Sequence, residues 1–305
     1  MNASYRIEVA RSVSVLELPA PAKLNLFLHV TGRRADGYHC LQTCFQLLDH
    51  GDRIHLAAAP EGVLTREGGM PGLPAEADLA VRAARRLQEV AGVRHGVRIR
   101  IEKRLPAGGG LGGGSSDAAT VLLGLNRLWS LRLSLQDLAE IGLSLGADVP
   151  VFVLGRSAWA EGIGERLTPI DLPEAWYLVA TPAVAITTAE VFADPELTRD
   201  TAPITISAFR AGAGRNDCQP VVEKRYPQVA QLIAMLSQFA PARLTGTGAS
   251  VFCAFRDREA AEAARTALPP GVHAFVARGV NVSPLHRALD EASAALCPGS
   301  VEADR

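Results

Sequence analysis

The run of glycines at residues 108–114 most restricts what this chain can fold into. The stretch "LPAGGGLGGGSSDAAT", residues 105–120, has six glycines in seven positions and then turns into helix-forming sequence. Glycine accepts positive φ angles and has no Cβ to keep a ligand away from the backbone. Successive amides in such a loop can form a concavity for an anion, and a helix N-terminus behind it adds free N–H groups. The segment therefore predicts a strand, a bare loop and a helix that together hold a polyphosphate.

Three well-known glycine motifs do not account for this loop. Residues 108–113 match G-x-G-x-x-G, but a dinucleotide-binding unit needs a strand after its helix, and here a second helical pattern follows. A Walker A loop requires lysine after its last glycine, where this chain has Ser115. A protein kinase would need a D-F-G motif and its catalytic-loop aspartate, and neither is present.

The pattern along the rest of the chain predicts an α+β fold. Strands are predicted at residues 5–10, 13–18, 24–30, 52–59, 96–103, 147–155, 157–170, 176–186 and 272–281, with a hairpin at 242–255. Helices are predicted at 76–92, capped by Asp78, at 115–130, capped by its first serine and aspartate, at 134–146, started by Ser134, and at 257–268, with one or two further helices within 217–239. The length of 305 residues favours two domains, 1–167 and 168–305.

The charge balance and the cysteine content indicate which kinds of partner and which compartment suit the protein. Lysine and arginine number 31 against 32 aspartates and glutamates, so no basic surplus exists for nucleic acid or a membrane surface. The odd count of five cysteines, without zinc-finger spacing, favours reduced and packed thiols. No export signal or membrane-spanning apolar run is visible. We therefore expect a cytoplasmic protein that acts on small molecules.

Four segments in order carry a family resemblance. They are "PAKLNLFLHVTGRRADGYH" at 21–39, "PAGGGLGGGSSDAA" at 106–119, "GADVPVFV" at 146–153 and "LTGTGASVF" at 244–252. Together they resemble the GHMP kinases, which include galactokinase, homoserine kinase and mevalonate kinase. The first segment is similar to the branch of that family whose acceptor carries a cytidine diphosphate. The resemblance extends from Pro21 to about residue 289.

The resemblance implies a two-domain GHMP kinase fold with the active site in the cleft between the domains. It implies transfer of the γ-phosphoryl of ATP to the 2-hydroxyl of 4-diphosphocytidyl-2-C-methyl-D-erythritol, a step of the non-mevalonate route to isoprenoid precursors. Mg²⁺ is expected with ATP, held either by Ser115 or Ser116 or mainly by phosphates and water. The oligomeric state stays open. The expected ATP-binding residues are Pro106, Ala107, Gly108, Gly109, Gly110, Leu111, Gly112, Gly113, Gly114, Ser115 and Ser116.

Two residues match the family's catalytic pair. Asp148 corresponds to the aspartate that takes the proton from the attacking hydroxyl, and its sequence context predicts a stiff turn leading into a strand. Lys23 corresponds to the lysine beside it. A lysine within an apolar strand is unfavourable unless it is paired. Its charge would keep the aspartate ionised and stabilise charge developing on the acceptor oxygen.

The resemblance also implies a site for the acceptor. Tyr38 is expected to stack on the cytosine and His39 to hydrogen-bond its edge. The other expected acceptor-binding residues are Asn25, on the same side of the strand as Lys23, together with Phe192, Thr245, Gly246, Thr247 and Gly248. Asp78 stands where the family often has an asparagine that contacts adenine, so a contact between Asp78 and adenine is left open.

Two other functions remain possible at this stage. A GHMP kinase for a mevalonate- or homoserine-type acceptor would not need the "RADGYH" segment, because such acceptors have no base to stack. A catalytically silent ATP-binding regulator would be favoured by loss of Lys23 or Asp148, and both are present.

Overall fold

The computed structural model describes residues 15–296 of the chain. The strand predicted at residues 5–10 and the thiol of Cys297 lie outside the described residues. The strands are β1 Val15–Arg33, β2 His39–Ala59, β3 Leu64–Gly68, β4 Gly96–Glu102, β5 Ala158–Gly162, β6 Arg166–Pro169, β7 Trp176–Thr181, β8 Ala242–Leu244, β9 Val251–Phe255 and β10 His273–Val280. The α-helices are α1 Leu79–Ala91, α2 Gly113–Leu128, α3 Leu135–Leu143, α4 Val149–Leu154, α5 Thr188–Ala193, α6 Ile206–Arg210, α7 Gln219–Arg225, α8 Pro227–Leu236, α9 Arg258–Thr266 and α10 Pro284–Leu296, with a short 3₁₀ turn at Ala75–Ala77.

The two strands predicted at 13–18 and 24–30 form one strand, β1. It pairs antiparallel with β2 along its length, with register shifts between Pro21 and Lys23 and between Asn25 and Leu28. The residues between the two predicted strands include Pro19 and Pro21, and a strand can place a residue without an N–H where no ladder bond is required. The predicted break between two short strands is therefore wrong.

The segment at 147–155 forms helix α4 and not the predicted strand. Val149 to Val153 are all buried, and α4 packs against α2 and α3. A short helix that is apolar on every side shows no 3.6-residue period, so its sequence resembles a buried strand. Pro150 suits the first turn of a helix, and Gly155 ends it with φ of +67°.

One mixed sheet and two main cores organise the molecule. The central strand order is β3-β4-β2-β10-β7-β9-β8, with β1 and β5 also paired to β2 and β6 paired to β5. Helices α1 to α4 pack over β1, β2 and β4, and a second core forms between β7 to β9 and helices α5, α7, α8 and α9. Leu28 of β1 joins the second core, whereas Leu285 of α10 joins the first. The boundary at 167/168 falls within β6 and stays a prediction.

The described part of the chain adds two observations on the composition-based expectations. No helix in it has the length and apolarity to cross a bilayer. Its four cysteines are free thiols. Burial raises the pKa of Cys44 and of Cys218 to about 12, so these two thiols stay protonated and pack as small apolar groups.

Candidate active site

The expected catalytic and phosphate-binding residues meet at one cavity of about 450 Å³. The glycine loop forms one wall, β1 contributes Lys23 and Asn25, and the start of α4 contributes Asp148. The turn at 245–248 and helix α5 close the opposite side. Of the predicted site residues, those that line the cavity are Lys23, Asn25, Pro106, Ala107, Gly108, Gly109, Gly110, Leu111, Gly112, Gly113, Gly114, Ser115, Asp148, Phe192, Gly246 and Thr247.

Lys23 and Asp148 form the predicted ion pair. Lys23 Nζ lies 3.2 Å from Asp148 Oδ2, and it donates to Asn25 Oδ1 at 2.6 Å and to the Gly110 carbonyl at 3.0 Å. The ammonium also lies 5.4 Å from the centre of the Phe45 ring. The lysine side chain is 4% exposed and that of the aspartate 33%. A buried, fixed cation thus faces a carboxylate that solvent and a ligand can reach.

Backbone hydrogen bonds hold the glycine loop between the two halves of the chain. Lys23 N–H donates to the Leu111 carbonyl on one side. On the other, Ala249 N–H donates to the Gly108 carbonyl and Ser250 N–H to the Gly109 carbonyl. A Cβ on Gly110, which has φ of +73°, would lie 2.3 Å from the carbonyl oxygen of Thr245. Close backbone approach therefore requires glycine at position 110.

Helix α2 begins two residues earlier than predicted and without the predicted side-chain cap. Its N-cap is Gly112 in the left-handed conformation, with φ of +74°. The N–H groups of its first turn consequently belong to the glycine run itself, as an anion site requires. Ser115 lines the cavity, whereas Ser116 does not: its hydroxyl is fully buried behind the loop.

Asn25 lies on the same side of β1 as Lys23, as predicted. Beyond its bond to the lysine, its side-chain amide donates to Thr43 Oγ1 at 3.0 Å, and its backbone N–H donates to Thr245 Oγ1 at 2.9 Å. Thr245 is fully buried and lies behind the cavity wall, as does Gly248. Thr245 therefore connects the C-terminal turn to β1, and a substrate contact for it stays a prediction.

Neither Tyr38 nor His39 lines the cavity. Tyr38 is 61% exposed on the turn between β1 and β2. The His39 ring stacks on Phe192 of α5, with centroids 4.8 Å apart and an interplanar angle of 17°. Phe192 itself lines the cavity. Of the two expected base-binding rings, Phe192 thus lines the cavity on α5, whereas Tyr38 lies on the β1–β2 turn directly before His39.

A buried charge network behind the glycine loop was missed from the sequence. Lys103, directly after β4, lines the cavity and donates to Asp52 Oδ2 and, at 2.9 Å, to Asp117 Oδ2. Asp52 Oδ1 accepts from the N–H groups of Arg104 and Leu105 at 2.5 and 2.8 Å. The network therefore links the residues before the loop to the helix after it. The sequence gives little sign of this network, because its three side chains come from β2, from the residue after β4 and from α2.

The environment shifts the pKa values of this network. Burial raises the pKa of Asp117 to about 7; Lys103 opposes that shift and the charge of Asp52 adds to it. Burial alone would lower the pKa of Lys103, but the charges of Asp117 and Asp52 raise it above its usual value. Lys103 thus stays protonated while it bridges two carboxylates.

Asp78 caps α1 as predicted, and each of its carboxylate oxygens has a partner within the protein. Its Oδ1 accepts from Ala80 N–H at 2.9 Å, and its Oδ2 pairs with Arg66 Nη1 at 2.7 Å. The next residue, Leu79, lines the cavity in its place.

Comparisons with known proteins agree with this geometry. Residues 78–156 match the GHMP kinases N terminal domain, and residues 201–271 match the GHMP kinases C terminal domain. A mevalonate kinase of Methanococcus jannaschii, 16% identical, covers 89% of this chain and 100% of its own with a TM-score of 0.63. That likeness shows the fold.

Two relatives are much more similar. The 4-diphosphocytidyl-2-C-methyl-D-erythritol kinase of Ectopseudomonas mendocina is 58% identical over 274 residues, which are 90% of this chain and 94% of the relative. A crystal structure of 4-(cytidine 5'-diphospho)-2C-methyl-D-erythritol kinase is 35% identical, covers 87% of this chain and 100% of its own, and has a TM-score of 0.76. The chain belongs to the 4-diphosphocytidyl-2-C-methyl-D-erythritol kinase family, a branch of the GHMP kinases.

Proposed function

We propose that the protein transfers the γ-phosphoryl group of ATP to the 2-hydroxyl of 4-diphosphocytidyl-2-C-methyl-D-erythritol, a step of the non-mevalonate route to isoprenoid precursors. The observation that carries this proposal is the Lys23–Asp148 pair, which faces the glycine loop across one cavity. A phosphoryl donor, an acceptor hydroxyl and a base can meet only where such groups converge.

The side chains support a division of roles. Asp148 accepts the proton of the acceptor hydroxyl, because its carboxylate lines the cavity and, within residues 15–296, is held only by the ion pair with Lys23. Lys23 pairs with that carboxylate and stabilises negative charge that develops on the acceptor oxygen. The amides of the glycine loop and of the first turn of α2 hold the phosphates of ATP.

We propose Mg²⁺ as the metal that accompanies ATP. In residues 15–296 no group of three or more His, Cys, Asp or Glu side chains could hold a metal by itself. Mg²⁺ fits such a site, because in kinases it is held by one or two protein oxygens together with phosphates and waters. The Ser115 hydroxyl is an oxygen donor at the cavity wall that suits this role. The metal would neutralise charge on the β- and γ-phosphates.

For the acceptor we propose that Asn25 binds the polyol, that Gly246 and Thr247 line its diphosphate and that Tyr38, His39 and Phe192 hold the cytosine. Asn25, Gly246, Thr247 and Phe192 line the cavity. We also propose a cytoplasmic protein, which the four free thiols within residues 15–296 support.

An ADP-release assay tests the function. The full chain with ATP and Mg²⁺ should release ADP with 4-diphosphocytidyl-2-C-methyl-D-erythritol and not with mevalonate or homoserine. Phosphate on the 2-hydroxyl of the product, located by NMR, would confirm the position. Turnover of mevalonate or homoserine instead would identify another GHMP kinase, and ATP binding without turnover of any acceptor would indicate a regulator.

Gly110→Ala should weaken ATP binding much more than acceptor binding. The new Cβ would lie 2.3 Å from the Thr245 carbonyl oxygen, so the loop or the facing turn must move away from the phosphates. We expect KM for ATP to rise about tenfold or more, equivalent to about 1.4 kcal/mol. Steady-state kinetics with each substrate varied in turn gives both KM values.

Gly62→Ala is the matched control for Gly110→Ala. Gly62 has φ of +79°, but a Cβ there meets nothing within 4 Å. It carries the same backbone strain, about 1–2 kcal/mol, away from the cavity. KM for ATP should stay unchanged in this control. Equal rises of both KM values in Gly110→Ala would argue against a loop dedicated to ATP.

Tyr38→Ala should raise KM for the acceptor and leave KM for ATP unchanged. Because Tyr38 is 61% exposed, its truncation removes little packing, and the melting temperature should hold. Loss of one base-stacking contact corresponds to about 1–3 kcal/mol, or about 5- to 150-fold in KM. Phe239→Ala, which truncates an aromatic side chain 47% exposed on another face, serves as control. An unchanged acceptor KM would place the nucleoside away from Tyr38.

A further inference from the structure

Arg199, in the loop between α5 and α6, holds the ring of His39 through one N–H group. Its Nε lies 3.2 Å from His39 Nε2. The same guanidinium donates to the backbone carbonyls of Leu197 at 3.0 Å, Phe192 at 2.9 Å and Asp194 at 2.7 Å. With four N–H groups engaged, the guanidinium is fixed relative to α5 and to the histidine ring.

This contact decides which nitrogen of His39 carries hydrogen. An arginine Nε always bears a hydrogen and has no lone pair to offer, so His39 Nε2 must be the acceptor. The hydrogen of the neutral ring therefore resides on Nδ1. Burial lowers the pKa of His39, and the charges of Arg199 and of Arg33, its partner across the β1–β2 pair, lower it further, so the ring is neutral at pH 7.

The orientation of the ring is fixed as well. His39 stacks on Phe192, and Phe192 borders the cavity. Within residues 15–296, the imidazole of His39 makes no hydrogen bond besides the one with Arg199, so its Nδ1–H is available to a ligand.

We propose that Arg199 is a specificity-determining positioning residue: it fixes His39 as an Nδ1–H donor, so that His39 selects a base with an acceptor at its ring nitrogen. Cytosine has an unprotonated N3 that accepts a hydrogen bond, whereas N3 of uracil carries a hydrogen. A fixed donor therefore pairs with cytosine and opposes uracil, and a site built around such a bond discriminates strongly. The inference depends on the proposed function for the presence of a nucleoside.

The tautomer can be measured directly on the full chain. Long-range ¹H–¹⁵N NMR correlations of the histidine rings at pH 7.5 distinguish the Nδ1–H, Nε2–H and doubly protonated forms. We expect the Nδ1–H form for His39 in the wild type and a shift towards Nε2–H in Arg199→Met. An Nε2–H or charged His39 in the wild type overturns the inference, whether or not the variant folds.

Selectivity is the second measurement. The ratio of kcat/KM for the cytidine substrate to that for its uridine analogue should fall by about tenfold or more in Arg199→Met. KM for ATP should stay constant. Arg210→Met, at an exposed position on α6, should retain the wild-type ratio.

The failures of the two proposals are distinguishable. A wild-type protein that turns over neither nucleotide would contradict the proposed function, while the NMR result would still report the state of His39. A wild type that turns over the cytidine substrate, together with an Arg199→Met variant of unchanged preference, would overturn the role of Arg199 and leave the function in place.

Discussion

Asp148→Asn should lower kcat by about 10²- to 10⁴-fold while ATP and the acceptor still bind. Asparagine keeps the shape of the side chain and can still accept from Lys23, but it cannot take a proton from the acceptor hydroxyl. The lower end of the range applies if the transition state is loose, because phosphoryl transfer then needs less help from a base. Single-turnover kinetics, ligand titration and a thermal melt together separate chemistry from binding and folding.

Lys23→Met extends the same test to the partner residue. Methionine keeps an apolar stem beside Phe45 and removes the ammonium that contacts Asp148, Asn25 and the Gly110 carbonyl. We expect a lower kcat again, and a double variant that loses much less than the product of the two single losses. Such non-additivity is typical of residues that act as one unit.

Asp171→Asn is the matched control for Asp148→Asn. Asp171 also pairs with a cation, Arg156, but its side chain is 74% exposed and lies outside the cavity. The kcat of the Asp171→Asn variant should equal that of the wild type. A normal kcat in Asp148→Asn with a native melt would leave Asp148 as the N-terminal residue of α4 without a role as base.

Features that depend on neighbouring residues could be predicted from the sequence. Asp78 and Ser134 cap α1 and α3 because each side chain accepts from a backbone N–H two or three residues ahead. The loop before α2 could be predicted because positive φ angles and the lack of a Cβ are properties of each glycine itself. The pairing of Lys23 with Asp148 came from family resemblance, since no local signal connects two residues so distant in the sequence.

Features that depend on distant partners could not be predicted. The sequence of helix α4 resembles a strand, because the helix is buried on all sides, packs against α2 and α3, and therefore shows no alternation of apolar and polar residues with a 3.6-residue period. Arg199 reaches His39 across 160 positions, and Lys103 reaches Asp52 across 51. Each side chain alone suggests only a solvated charge. Their roles follow from the three-dimensional arrangement of β2, α2 and the loop after α5.

Lys103→Met should destabilise the protein by about 3–5 kcal/mol, the usual effect of removing one partner from a buried ion pair. Asp52 is 1% exposed and Asp117 3%, so neither carboxylate can turn to water when the ammonium is lost. Asp52 keeps the N–H groups of Arg104 and Leu105, whereas Asp117 loses its cation altogether. Urea unfolding of the wild type and the variant gives the difference in free energy of unfolding.

The loss of stability in Lys103→Met should be larger at high pH than at low pH. Lys103 opposes the rise in the pKa of Asp117, so without it that pKa in the folded state lies further above the value in the unfolded chain, and folding takes up a proton. Stability then falls as pH rises through and above the unfolded value near 4, and the variant should be more destabilised at pH 8 than at pH 5. Adding Asp117→Asn to Lys103→Met removes one of the two unpaired charges and should restore part of the stability and weaken the pH dependence. A loss below about 1 kcal/mol, the same at both pH values, would mean that water reaches the network and that Lys103 does not hold the two ends of the glycine loop together.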